Sequence, residues 1–133
     1  MANLAASLPS PTPLRRGLSI HFQWGEQKFD IVASAASIHT VAWDETGEEV
    51  TWLHCKAIQV QAIKPDGECD LINCLIPAHY VTHAAPGPAF RIVRSKARGD
   101  LGIFPPTQPP PPNAIPLEEL TRRIAELVDA SIN

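Results

Sequence analysis

Residues 18–33, which read LSIHFQWGEQKFDIVA, decide the fold class. Apolar and polar residues alternate on both sides of Gly25 and Glu26, the pattern of two strands that each bury one face. A glycine that leads a two-residue loop favours a type II′ turn, which joins antiparallel strands. We therefore predict a β-hairpin closed by a pair between Trp24 and Gln27. The same register pairs Leu18 with Ala33, Ile20 with Ile31, Phe22 with Phe29, His21 with Asp30 and Gln23 with Lys28.

A second hairpin is predicted from Ile38 to Cys55, with its turn in residues 44–49. If Glu45 pairs with Glu48, two tryptophans lie diagonally on one side of the sheet, a favourable cross-strand arrangement. This register opposes Trp43 to Val50, Val41 to Trp52 and His39 to His54.

A third hairpin is predicted to pair residues 56–63 with residues 69–76, because the Lys64-Pro65-Asp66-Gly67-Glu68 connection suits a type I turn followed by glycine. In the predicted register, Ile58 and Val60 share a face with Cys74 and Ile72. A loop or short helix over residues 77–83 and a last strand over residues 89–94 follow.

The predicted fold class is mainly β, an antiparallel meander of six or seven strands. Such a meander is expected to form a small barrel or sandwich, since curling removes unpaired edges. A C-terminal amphipathic α-helix follows a polyproline linker. The predicted divisions are a flexible Ser/Pro-rich N-terminal arm (1–16), the β domain (17–103), the linker (104–115) and the helix (116–133).

The linker, FPPTQPPPPNAI, is expected to be stiff because prolines favour the extended polyproline II conformation. At roughly 3.1 Å per residue it spans about 30 Å, enough to carry the helix across its own domain or onto a neighbour. An alternative is that Pro109–Pro112 are a ligand for a proline-binding domain.

The helix carries one apolar stripe and a polar face in which Glu118 precedes Arg122, and Glu119 precedes Arg123, by four residues. A helix of this length is marginal alone in water, so the stripe needs a surface to cover. That surface is either its own body or another subunit, and we predict a docking helix that binds a partner. The stripe consists of Leu117, Leu120, Ile124, Leu127 and Val128.

Composition bounds the function classes. The formal net charge of −3 argues against general attraction to nucleic acid or anionic membrane, and no apolar run approaches the roughly 20 residues of a membrane span. We expect a soluble protein, either cytoplasmic or part of a virion assembled in the cytoplasm.

Three cysteines cannot all pair within one chain, so reduced thiols are expected. Cys69 and Cys74 are an odd number of residues apart on one strand and point to opposite faces, and no spacing matches a known zinc motif. We predict no catalytic residue, cofactor or metal. The alternative is a cysteine- or metal-dependent small enzyme or ligand-binding barrel, whose candidate residues are Cys55, Cys74, His54, His79 and His83.

Positive charge is concentrated just before the linker, where it could contact a polyanion. A single-stranded nucleic-acid-binding accessory protein is therefore a second alternative. The residues concerned are Arg91, Arg94, Lys96 and Arg98.

The function expected from these features is that of a non-enzymatic structural, assembly or adaptor protein. Its arm and helix would fasten the β body to copies of itself or to a larger complex, such as a head, tail or connector of a virion. The expected partner is therefore a protein, with a homo-oligomer favoured.

Overall fold

The computed structural model describes residues 14–63, 68–96 and 102–132. Five strands and one α-helix form in this part of the chain, which confirms the predicted mainly β fold with a C-terminal helix. Two short 3-10 helices, Val60–Ala62 and Ala78–Tyr80, also form. The main elements are β1 (Leu14–Trp24), β2 (Gln27–Ala42), β3 (Glu49–Gln59), β4 (Glu68–Pro77), β5 (Val81–Lys96) and α1 (Leu117–Ile132).

The strands pair in the order β1-β2-β3-β4-β5, and β5 also pairs with β1. Pairing is antiparallel as predicted, except between β4 and β5, which run parallel. The described residues contain five strands rather than six or seven, because β2 and β3 each run through two predicted strands. A register shift between Ala33 and Ala35 lets β2 continue as one strand.

The first hairpin has the predicted register at every position, from the Leu18–Ala33 pair to the Trp24–Gln27 pair. Gly25 has a φ of 62°, and no non-glycine residue in the described ranges has a positive φ. This combination fits the predicted type II′ turn, which needs a positive φ at its first central residue alone.

The second hairpin differs from the predicted register by two residues, since His39 lies opposite Trp52 rather than His54. Its turn closes between Trp43 and Glu48, where the Trp43 amide donates to the Glu48 carbonyl (2.8 Å). Gly47, with a φ of 73°, donates from its amide to the Trp43 carbonyl (2.6 Å). This four-residue turn replaces the two-residue turn that a Glu45–Glu48 pair would close. An even shift leaves the inward and outward faces unchanged.

The third hairpin differs by three residues, since Cys74 lies opposite Cys55 rather than Ile58. Residues 60–62 form a 3-10 helix, so β3 ends at Gln59 and the connection to β4 is longer than predicted. Because the shift is odd, Ile58 lies on the face opposite to Cys74 rather than on the same face as predicted, and the two residues belong to different hydrophobic clusters. The predicted type I turn at residues 64–67 lies outside the described residues.

The apolar interior has two parts. A main cluster is built from inward residues of all five strands, together with Ile115, Leu120 and Ile124 of the C-terminal segment. A smaller cluster contains Val32, Ile58, Cys69, Leu71 and Phe90.

The predicted linker lies against the body and does not extend into solvent. We call residues 102–115 the strap. Its first residues run beside β4, where the Leu75 amide donates to the Gly102 carbonyl (2.9 Å) and the Phe104 amide donates to the Leu75 carbonyl (3.0 Å). At its other end the Ile115 amide donates to the Val81 carbonyl (2.9 Å). The strap is therefore a packed part of the fold.

Helix α1 begins directly after Pro116, whose carbonyl accepts from the Leu120 amide (2.9 Å). Arg123 pairs with Glu119 (3.2 Å), as predicted. Arg122 pairs with Glu119 and Glu126 rather than with Glu118. Within the described ranges, no helix is long and apolar enough to span a membrane.

The predicted N-terminal arm is described only from residue 14, where β1 begins. Its other residues lie outside the described part of the chain.

Candidate functional site

A groove of about 440 Å³ lies on the outer face of the sheet, where the β2–β3 hairpin meets the start of the strap. We call it the aromatic groove. Its lining residues are His39, Val41, Ala42, Trp43, Asp44, Trp52, His54, Leu75 and Ile103.

Strand periodicity explains why this face is apolar. Leu53 and Cys55 of β3 point into the main cluster, so the alternate residues Trp52 and His54 point outward. Trp43 lies with its ring centroid 5.8 Å from that of Trp52. The two indoles are thus in contact, as the second hairpin predicted, despite the different register.

The histidines of the groove occupy adjacent but not opposite positions. The ring centroids of His39 and His54 are 6.3 Å apart, and the residue opposite His54 is Ser37. The predicted direct pairing of His39 with His54 is therefore corrected to a neighbouring contact. His39 Nε2 also lies 2.8 Å from the Ser37 hydroxyl.

Large apolar side chains are left in solvent at this groove. Four are exposed among the described residues, and two of them, Val41 (52%) and Ile103 (61%), line the groove. Trp52, which lines the same groove, is only 3% exposed, and its indole nitrogen has no hydrogen-bond acceptor in the described part of the chain. Exposed apolar groups that share a groove with a buried donor are typical of a binding surface.

The groove lies beside an acidic turn. Asp44 lines it, and Glu45, Glu48 and Glu49 lie in the same turn and its flank. The sequence has no lysine or arginine between Lys28 and Lys56. The hairpin therefore places one carboxylate, that of Asp44, in the lining of the groove and three more in the adjoining turn and its flank.

A second groove, of about 480 Å³, lies between the same turn and the strap. Glu48, Glu49 and His79 contribute polar groups to its lining, and the exposed Leu117 (46%) lies at its edge. It lacks the aromatic pair that characterises the first groove.

Ser19, His21 and Asp30 lie in the order of a Ser-His-Asp arrangement. The Ser19 hydroxyl is 3.4 Å from His21 Nε2, and His21 Nδ1 is 3.7 Å from the Asp30 carboxylate. Both distances are long for hydrogen bonds, and the His21 and Asp30 side chains are 39% and 56% exposed. The cluster therefore has the character of a polar cross-strand pair.

His83 stacks on His21, with ring centroids 4.4 Å apart. Burial lowers the pKa of His83, the neighbouring His21 and Arg123 lower it further, and Asp30 opposes them. Burial and the neighbouring imidazole thus both disfavour protonation of His83.

Cys55 and Cys74 form a buried thiol pair that the sequence reasoning missed. They lie opposite each other in the register, their Sγ atoms are 2.9 Å apart, and they are 1% and 2% exposed. The hydrogen bond with Cys74 raises the pKa of Cys55 well above its ordinary value, and burial raises it further. A thiol held in the neutral form is a poor nucleophile, so this geometry favours packing over catalysis.

The other candidates for metal or cysteine chemistry are dispersed. Cys69 belongs to the smaller cluster, whereas Cys74 belongs to the main one, as their odd spacing predicted. His79 lies in a 3-10 turn and His83 in β5, so they do not share a helical face. Among the described residues, no three His, Cys, Asp or Glu side chains are grouped to hold a metal ion.

The predicted docking stripe is divided by the fold. Leu120 (0% exposed) and Ile124 (3%) are part of the main cluster, and Leu127 and Val128 pack against it. Leu117 is the exposed member. In the structure the helix therefore docks on its own body, and most of the stripe is buried there instead of being exposed to a partner.

The predicted polyanion contact falls partly outside the described region. Arg91 is half-buried in β5, the side chains of Arg94 and Lys96 are not described, and Arg98 lies outside the described residues. The register places Glu68 beside Arg91 and Asp70 beside Arg94, so acidic positions accompany the basic ones. This pairing weakens the case for a free cationic surface.

No protein-family model, curated protein or solved structure matches this chain. Three residues have roles that the sequence patterns did not predict: Trp24 and Tyr80 bind the strap, and Ile103 lines the groove. Periodicity could not identify them because their contacts lie 25 or more residues apart in the chain.

Proposed function

We propose that this protein is a non-enzymatic assembly protein whose body, a small β barrel, associates with further copies of itself through the aromatic groove. The main supporting observation is that the exposed Val41 and Ile103 line the same groove as the Trp43–Trp52 pair. Such a patch on a small chain is more consistent with an interface than with a reaction centre.

The free energy expected from burying these side chains supports a weak, concentration-dependent association. Fully burying a Val or Ile side chain contributes about 1.5–3 kcal/mol, and roughly half of each remains to be buried here. Two half-exposed side chains therefore contribute about 2 kcal/mol, and the aromatic edges must add the remainder.

Light scattering across a concentration series tests the proposal. The wild-type mass is expected to rise above the 14.5 kDa of one chain, and Val41→Ser or Ile103→Ser should return it to that value. Val60→Ser is the matched control, because Val60 is 43% exposed but does not line the groove. A wild-type protein of 14.5 kDa at every concentration, or equal loss of assembly in the control, would overturn the proposal.

Thiol titration distinguishes the assembly protein from the alternative, a cysteine-dependent enzyme. All three cysteines are buried, so none is expected to react with an aromatic disulfide reagent in the native protein, and all three should react in denaturant. One rapidly reacting native thiol would favour the enzyme.

A further inference from the structure

The chain already shows how its body binds a proline-containing segment. Trp24 donates from its indole nitrogen to the Pro105 carbonyl (3.3 Å), and the Tyr80 hydroxyl donates to the same oxygen (2.7 Å). The neighbouring Phe104 ring packs edge-on against Phe22 and Phe29, at 4.9 and 5.1 Å between centroids. Aromatic rings that supply both contact area and donors suit an extended segment whose carbonyls have no internal partner.

The aromatic groove offers the same kind of surface without an occupant from the described residues. Trp43 and Trp52 supply the rings, and the Trp52 indole nitrogen lacks an acceptor there. A buried donor without an acceptor is unfavourable, and a carbonyl entering beside Trp52 would satisfy it.

We propose that the aromatic groove binds the proline-rich segment of residues 8–13, LPSPTP, from a second copy of the chain. This inference rests on the proposed function, since it names the occupant of the same groove. The segment lies outside the described residues, and its alternating prolines, Pro9, Pro11 and Pro13, predict a polyproline II conformation. Six residues in that conformation span roughly 19 Å.

Charge supports this occupant. Residues 1–25 contain no acid, and Arg15 and Arg16 follow the prolines directly. The hairpin beside the groove carries Asp44, Glu45, Glu48 and Glu49 without a lysine or arginine nearby in sequence. Opposite charges at the rim of an interface speed encounter and orient the partner.

The proposed self-association favours a second copy over the chain's own segment as the occupant. The segment leads into Leu14, which pairs with Arg91 of β5, whereas the groove residues belong mainly to β2 and β3.

The test uses the full-length chain with Pro9, Pro11 and Pro13 all changed to alanine, followed by light scattering and circular dichroism. This variant is expected to keep its β spectrum and to remain a monomer at concentrations where the wild type and the Val60→Ser control assemble. A synthetic peptide of residues 6–16 should dissociate the wild-type assembly, and a peptide with alanine in place of the three prolines should be roughly tenfold weaker or worse. Raised salt should also weaken assembly, because it screens the rim charges.

The outcomes separate the two proposals. If the proline variant assembles as the wild type does while Val41→Ser does not, the groove is an interface but its occupant is wrongly assigned. If the wild type stays monomeric throughout, both proposals are overturned. If the proline variant loses its β spectrum, the peptide competition decides, and equal potency of the two peptides would refute the inference.

Discussion

Gly17 lies where side chains from two other strands meet across β1. A β-carbon at this position would come within 2.2 Å of Val32 Cγ1 and 2.7 Å of the Phe90 ring. Val32 and Phe90 belong to the smaller cluster and are fully buried, so neither can move aside without leaving its packing. Glycine is required at this point by close packing.

Gly17→Ala is therefore expected to lower the free energy of unfolding by about 1–3 kcal/mol, the usual cost of overpacking a core. Urea denaturation followed by circular dichroism measures this difference. Gly47→Asn is the control, because a β-carbon there meets nothing within 4 Å and asparagine tolerates the positive φ. Equal stability of Gly17→Ala and wild type would mean that the smaller cluster is looser than its burial indicates.

At the scale of elements, the strap and helix α1 complete the body. The Tyr80 hydroxyl accepts a hydrogen bond from the Gln108 backbone amide (2.9 Å) and donates one to the Pro105 carbonyl. These two bonds fix the middle of the strap. Leu120 and Ile124 then fill the main cluster. The polyproline run sets the path of the chain, and the helix covers apolar surface that the strands leave open.

The buried and exposed leucines of α1 make a matched pair for testing this role. Leu120→Ala is expected to destabilise the protein by about 2–5 kcal/mol, through lost burial and the cavity it leaves. Leu117→Ala, at an exposed site, should change the free energy of unfolding by less than about 0.5 kcal/mol. Chemical denaturation of the two variants measures both values. Similar, small effects would show that the helix does not belong to the core of its own body.

At the scale of the whole molecule, two histidines link stability to pH. Burial lowers the pKa of His79 below its ordinary value of 6.5, although its contact with the Gln108 carbonyl partly opposes this, and the pKa of His83 is also lowered. Below about pH 6.5 these two histidines therefore bind protons in the unfolded chain more readily than in the folded chain. The contribution of the two histidines to stability is complete above this pH and is lost as pH falls through it.

The free energy of unfolding is accordingly expected to be lower at about pH 5.5 than at about pH 7.5. Urea titrations at both values check the sign. The double variant His79→Gln and His83→Gln should flatten the difference, since glutamine does not titrate and retains an N–H donor toward Gln108. An unchanged pH dependence of stability in that variant would show that other groups cause it.

Local rules sufficed for the first hairpin and for the position of the helix. The two-residue turn at Gly25 and the strict alternation around it allow one register, because a slip of one residue would exchange the buried and exposed faces. Likewise, the spacing of Leu120 and Ile124 and the preceding Pro116 define a helix with one apolar face. Each of these features depends only on residues that are close together in the sequence.

Tertiary structure decided the remaining registers, the thiol pair and the placement of the C-terminal segment. A shift of two residues keeps every side chain on its face, so alternation alone could not choose the partner of His39, and the turn at Trp43 did. The 3-10 helix after β3 set Cys55 against Cys74. Sequence determined that the helix needs an apolar surface. Only the assembled strands show that this surface belongs to the same chain, because burial depends on contacts between residues far apart in sequence.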